Sequence, residues 1–228
     1  MRIGITKFPG TNNEQDVVRA LRSLNVDGEL VLPWERTKLE NLDALVLAGG
    51  FSYGDYLRPG VIAAQSPVAE NLIDFENSGK FIIGICNGFQ ILCETNILPG
   101  VLTTNLSTKF ICKWVNVKVE DNESPLLQGL DKTLKVPIAH YEGRYFDKSI
   151  GIKELNDTNS VAFRYCTEDG EITHESNPNG SLENIAGVTN SKGNVLGLMP
   201  HPERASFDYL GSVSGRKIFV NLIEEIKC

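Results

Sequence analysis

The stretch "FIIGICNGFQ" sets Cys86 between Gly84 and Gly88, where an apolar, β-branched run gives way to the helical pattern Gly-Phe-Gln-Ile-Leu. A thiol at a strand-to-helix turn has the form of a nucleophile elbow, better known with serine, in which a sharp bend lifts the reactive atom out of a sheet. Glycines on either side remove the Cβ atoms that would collide in such a bend. A helix N-terminus behind the sulfur favours the thiolate, which is the reactive form. An unpaired cysteine is more often just a small buried side chain, so catalysis requires a base and an oxyanion site elsewhere in the chain.

Three histidines are available as that base. His174, in "EITHESNP", lies in a polar, proline-flanked loop and reads as solvated. His140 closes the strand candidate "VPIAH". His201 follows the strand candidate "NVLGLM", is fixed between Pro200 and Pro202, and has Glu203 two residues further on. In extended backbone, residues two apart face the same way, so Glu203 is placed to hold the His201 imidazole in the tautomer that accepts a proton from the thiol. For the oxyanion, "LVLAGGFSYGDYLRPG" ends a strand candidate in Gly49-Gly50, where a backbone N–H can approach a substrate without a side chain in the way. Gly50 is the candidate donor, and the amide of Asn87, directly after the nucleophile, is the second. "GGFSYGD" is no phosphate loop, because it lacks the lysine and the serine or threonine that such loops use.

These residues need a scaffold, and the hydrophobic pattern supplies one. "RIGITKF", "GELVLPW", "DALVLAGG" and "KFIIGIC" read as strands, with helices expected over "TNNEQDVVRALRSL" and "VAENLIDFENSG". Thr11 and Glu14, three apart, match a capping box for the first helix. Buried strands alternating with amphipathic helices predict an α/β protein, a single three-layer, flavodoxin-like domain over residues 1–228 with a largely parallel sheet. Ligands in such sheets gather at the carboxyl ends of the strands, where Cys86 and Gly49-Gly50 stand. Beyond residue ~100 the pattern turns to alternating strands. In "FICKWVNVKVE", Ile111, Lys113, Val115, Val117 and Val119 share a face, which predicts a mixed or antiparallel extension in the second half. Residues 121–132 and 167–181 read as loops, and "RKIFVNLIEEI" as a closing helix.

Composition narrows the partners. A 228-residue chain with 41% hydrophobic and 22% charged residues is an ordinary globular protein. Its net charge of −7 gives no basic field for nucleic acid. No stretch approaches the ~20 apolar residues of a membrane span, and "MRIGITKFPG" lacks a secretory core. A cytoplasmic location is expected. Five cysteines, Cys86, Cys93, Cys112, Cys166 and Cys228, without a CxxC pair fit reduced thiols, so four of them are read as structural or surface residues and no metal is expected.

"GGFSYGD", "GICNGFQIL" and "GLMPHPERA", in that order, resemble the class I glutamine amidotransferases. The resemblance implies that Cys86 is the nucleophile, His201 the base and then acid, and Glu203 its orienting partner, with Gly50 and Asn87 as the oxyanion hole. It further implies that Gln90, Asn105 and Ser107 line a pocket for L-glutamine. "KFPGTNNEQD", "GDYLRPG", "NLSTKF", "PIAHYEGRY" and "MPHPERAS" narrow the likeness to glutaminase subunits of the purine pathway. Such a subunit hands ammonia to a large synthetase that uses ATP and magnesium to turn formylglycinamide ribonucleotide into its amidine, often with a small third subunit. No cofactor is implied for this chain itself. Two positions depart from the family's usual residues: Asn13, where cysteine is common, and Tyr141, where glycine is. The competing readings are a glutaminase subunit for another synthetase and a catalytically silent docking module of the same fold.

Overall fold

The computed structural model describes residues 1–147 and 151–227. In chain order the elements are β1 (Ile3–Thr6), α1 (Glu14–Arg22), β2 (Gly28–Val31), β3 (Ala44–Leu47), α2 (Pro67–Glu70), α3 (Leu72–Asn77), β4 (Phe81–Ile85) and α4 (Asn87–Glu94). They continue with β5 (Val101–Thr103), β6 (Ile111–Val119), β7 (Thr133–His140), β8 (Arg144–Phe146), α5 (Gly151–Asp157), β9 (Val161–Cys166), β10 (Ile185–Thr189), β11 (Val195–Leu198) and α6 (Arg216–Lys227). One nine-stranded sheet runs β2-β1-β3-β4-β11-β10-β9-β6-β7, and β5 pairs with β8 in a small second sheet. From β2 to β11 every pairing is parallel. From β11 to β7 every pairing is antiparallel. The largely parallel sheet with an antiparallel extension is the architecture that the alternating pattern predicts.

The parallel half is layered. Every residue of β1, β3 and β11 is buried, as continuous apolar strands require when both faces are covered. A Cβ on Gly28 would strike Ile5 and Leu21, which puts α1 on the Ile5 face. A Cβ on Gly84 would strike Leu92, and one on Gly197 would strike Phe89, which puts α4 on the Gly84 face. The register Ile5↔Val46↔Ile83 places Ile5 and Gly84 on opposite faces, because neighbouring residues of a strand alternate.

Three local expectations fail for identifiable reasons. The capping box does not form. The Thr11 hydroxyl accepts the Phe8 N–H, Glu14 pairs with Lys7 at 2.9 Å, and the helix starts at Glu14 with Asn13 before it. The single helix expected over "VAENLIDFENSG" is two, because Asn71 turns its Nδ2 onto the Pro67 carbonyl (2.8 Å) and breaks the run. Along β6, Cys112, Lys113 and Trp114 are exposed and burial begins at Val115. Only residues 116–119 gain β9 as a second neighbour, so the β6–β7 ribbon projects beyond the body of the sheet over 111–115. Cys93 and Cys166 are buried and Cys112 is exposed, while Cys228 lies outside the described residues.

Candidate active site

The neighbouring strands β3, β4 and β11 run parallel, so their carboxyl ends deliver Gly49-Gly50, Cys86 and His201 to one edge of the sheet. Cys86 sits between β4 and α4 with φ 51° and ψ −104°, a conformation that costs an L-residue about 1–3 kcal/mol. Close contact holds the bend. A Cβ on Gly84 would lie 2.5 Å from Leu92 Cδ1 and 2.8 Å from the Gly88 backbone, and one on Gly88 would lie 2.0 Å from the Leu47 carbonyl oxygen. The two glycines therefore let α4 lie directly on β3 and β4. The Cys86 N–H donates to the Leu198 carbonyl at 2.8 Å, tying the elbow to the strand that leads to His201.

His201 and Glu203 are both almost wholly buried, with Nδ1 2.7 Å from Oε1. The pairing does not arise from extended backbone, since Pro202–Ala205 forms a tight 3₁₀ turn that swings the carboxylate back under the ring. Burial works against a charged His201, yet the Glu203 carboxylate and then the Cys86 sulfur outweigh it and raise the imidazole to about 10. His201 Nε2 has no hydrogen-bond partner among the described residues, which leaves it for the sulfur and a substrate. The projecting ribbon closes over this edge. Pro137 accepts the His201 N–H at 2.9 Å, and the Ala139 carbonyl lies 3.8 Å from Cys86 Sγ.

His140, at the end of β7, is a different kind of histidine. Burial, and then the charge of His201, lower it to about 3. Its Nδ1–H donates to Asn105 Oδ1 at 3.0 Å, an orientation set because Asn105 Nδ2 donates to the Lys109 and His140 carbonyls. A neutral ring that holds a second proton so weakly is no general base near neutral pH.

On the oxyanion side, a Cβ on Gly49 would crowd Asn13 Nδ2 (3.0 Å), His201 Cε1 (3.1 Å) and Cys86 Cβ (3.4 Å). Gly50 has φ +146°, and a Cβ there would lie 2.7 Å from the backbone of residues 10–12. The Gly49 carbonyl accepts the N–H groups of Asn12 and Asn13, both at 3.2 Å. A planar trans peptide then turns the Gly50 N–H away from that loop. The Asn87 N–H opens α4, and first-turn amides have no carbonyl within their own helix. The Asn87 side chain accepts the Ser52 N–H (3.2 Å) and donates to Gln90 Oε1 (2.9 Å), linking the elbow to the 52–55 turn.

Gln90 Nε2 donates to the Glu142 carbonyl at 2.6 Å, and Asn105 also accepts the Gly143 N–H. Both side chains thus lock the 140–143 loop, with their hydrogen-bonding groups largely engaged inside the protein. Ser107 is exposed and lines a cleft of about 270 Å³ with Leu106, His174 and Asn179, a cleft that none of Cys86, His201 and Glu203 lines. A cavity of about 870 Å³ lies at the far end of α4 between Arg58, Pro99 and Phe146. Asn13 is the residue that the sequence reading missed. The sequence marks it only as a departure from the family's usual cysteine, yet its carboxamide touches both His201 and Glu203.

Residues 1–218 match the family described as the CobB/CobQ-like glutamine amidotransferase domain. The chain belongs to this family. It is 48% identical over 228 residues to the phosphoribosylformylglycinamidine synthase subunit PurQ of Aquifex aeolicus, covering 99% of this chain and all of that one. The PurQ subunit of Methanosarcina mazei is also 48% identical, over 99% of this chain and 98% of its own. Among solved structures, a chain of PurLQS from Thermotoga maritima superposes with a TM-score of 0.86 at 40% identity, covering 99% of this chain and 98% of that chain. A Thermoplasma acidophilum protein described as a subunit of GMP synthase shares the fold at 19% identity and a TM-score of 0.67. Among the described residues, no group of three His, Cys, Asp or Glu side chains gathers as a metal site, and no helix is long and apolar enough to cross a membrane.

Proposed function

We propose that this chain is the glutaminase subunit of a phosphoribosylformylglycinamidine synthase, with Cys86, His201 and Glu203 as its catalytic triad. The observation that carries the reading is the strained Cys86 elbow set beside a buried His201–Glu203 pair at the carboxyl ends of adjacent parallel strands. The Cys86 thiolate, paired with the His201 imidazolium, attacks the γ-carboxamide carbon of L-glutamine, and the oxyanion that forms is received by the Gly50 and Asn87 amides. His201 gives its proton to the departing nitrogen, the C–N bond breaks, and ammonia leaves a γ-glutamyl thioester. His201 then takes a proton from water, hydroxide adds to the thioester, and the C–S bond breaks to release glutamate and restore the thiolate. Gln90 and Asn105 hold the 140–143 loop at the mouth of this site, and Ser107 offers its hydroxyl on the adjoining 105–109 turn. The ammonia passes to a large synthetase subunit, which holds ATP and magnesium, within a complex completed by a small third subunit.

The test is an electrophilic glutamine analogue. It should label Cys86 alone among the five cysteines, and Cys86→Ala should abolish glutamine-dependent synthesis by the complex while sparing synthesis from added ammonia. A label on Cys93 or Cys112, located by mass spectrometry, would sink the assignment.

A further inference from the structure

Asn13 has none of the roles assigned above, yet it is buried against both acid–base partners of the sulfur. It stands at the N-cap of α1, where an asparagine side chain ordinarily accepts a first-turn N–H, and here it makes no such bond. Its Oδ1 accepts instead from Arg204 Nη2 at 2.9 Å, and Arg204 Nε is held by Asp16 Oδ2 at 3.3 Å. A guanidinium only donates, so this contact fixes the amide with its oxygen toward Arg204 and its NH₂ toward the site. Nδ2 lies 3.1 Å from Glu203 Oε1 and 2.8 Å from His201 Nδ1, while Nδ1 is 2.7 Å from the same Oε1. Two donors converge on one carboxylate oxygen and press against each other.

We propose that Asn13 is a positioning residue that restrains how tightly His201 holds a proton. The inference rests on the glutaminase reading. The Asn13 N–H occupies part of the hydrogen-bonding capacity of Oε1, and the positive end of its NH₂ dipole, 2.8 Å from Nδ1, repels the charge that the ring gains when Nε2 is protonated. Both effects disfavour the imidazolium, and the Arg204 guanidinium, 4.0 Å from Oε1, acts in the same direction. The other groups facing His201 are Cys86 from the elbow and His140 from the end of β7, with Asp16 of α1 behind Arg204. Glu203 alone would leave a base that parts reluctantly with its proton, whereas turnover needs one that gives it to the departing nitrogen at working pH.

The chain's three histidines make the test direct. In ¹⁵N-histidine-labelled protein, the His201 resonance is identified by its loss in His201→Asn, and its titration is followed in Asn13→Ala and in the near-isosteric Asn13→Leu. The midpoint should rise by about one pH unit, the equivalent of one net hydrogen bond. If one variant does not fold, the titration of the other decides. A midpoint that is unchanged or lowered in a folded variant overturns the inference, and if that midpoint still shifts in Cys86→Ser, the glutaminase reading stands without it. A His201 midpoint indifferent to Cys86→Ser removes the triad, and the inference with it.

Discussion

In the proposed triad Cys86, His201 and Glu203 do unequal work, and their substitutions should separate. Cys86 forms the covalent bond and has no substitute, whereas Glu203 acts only through His201. Glu203→Gln should therefore lower glutamine hydrolysis by about 10²- to 10⁴-fold and still leave more activity than Cys86→Ala, measured on the assembled complex. His140 provides the control. Its ring is neutral and its Nδ1–H is committed to Asn105, so His140→Asn should retain far more activity than His201→Asn. The reverse order would place the base on β7. The three residues of the proposed triad could be picked from the sequence because they are marked by neighbours of unusual chemistry: glycines two residues either side of Cys86, prolines around His201. The contacts of Asn13 were not legible, because the Arg204 that orients its carboxamide lies 191 residues away.

Among the elements, the elbow and the 52–55 turn carry distinct predictions. Gly88 lies where α4 meets β3, and Gly88→Ala would drive a methyl into the Leu47 carbonyl oxygen. The expected loss is about 2–3 kcal/mol of stability, read as a lower denaturation midpoint, because the obstacle is backbone and cannot rotate aside. In the turn, Asp55 is raised to about 6, by burial and then by the Glu142 carboxylate. A carboxyl raised on folding stabilises the fold while it is protonated, and that stability is lost as pH rises through the folded value. Asp55→Asn should thus be neutral near pH 4 and stabilising at pH 8, by about 1 kcal/mol or less after solvent screening. Thermal melts at the two pH values check the sign. The strands and their order of type were readable from apolar runs, whose burial on both faces leaves little ambiguity. The reach of the β6–β7 ribbon onto the site was not, because the half of β6 that projects is exposed and carries the same alternation as the half that is buried.

For the whole molecule, a glutaminase that ran without its acceptor would release ammonia to water. The Gly49–Gly50 peptide is held by two long hydrogen bonds from Asn12 and Asn13, and glycine on both sides lets it reorient at little steric cost. The purified chain should be a poor glutaminase that the synthetase and its nucleotide activate by completing the oxyanion site. Each tenfold of activation needs only about 1.4 kcal/mol, and loss of one oxyanion donor alone costs roughly 10²–10³ in rate. Full activity from the chain alone would reject this gating and leave the triad untouched. The place of β11 has another consequence. It is the last strand among the described residues and lies in the middle of the sheet, between β4 and β10. During synthesis from the N-terminus, β4 waits as an open edge and the two halves of the sheet have no common neighbour until residues 195–198 arrive. The same strand leads to His201. A chain interrupted before that point therefore lacks both the keystone of its sheet and the base proposed for its thiol, so Cys86 of the proposed triad is armed only after His201 has been made.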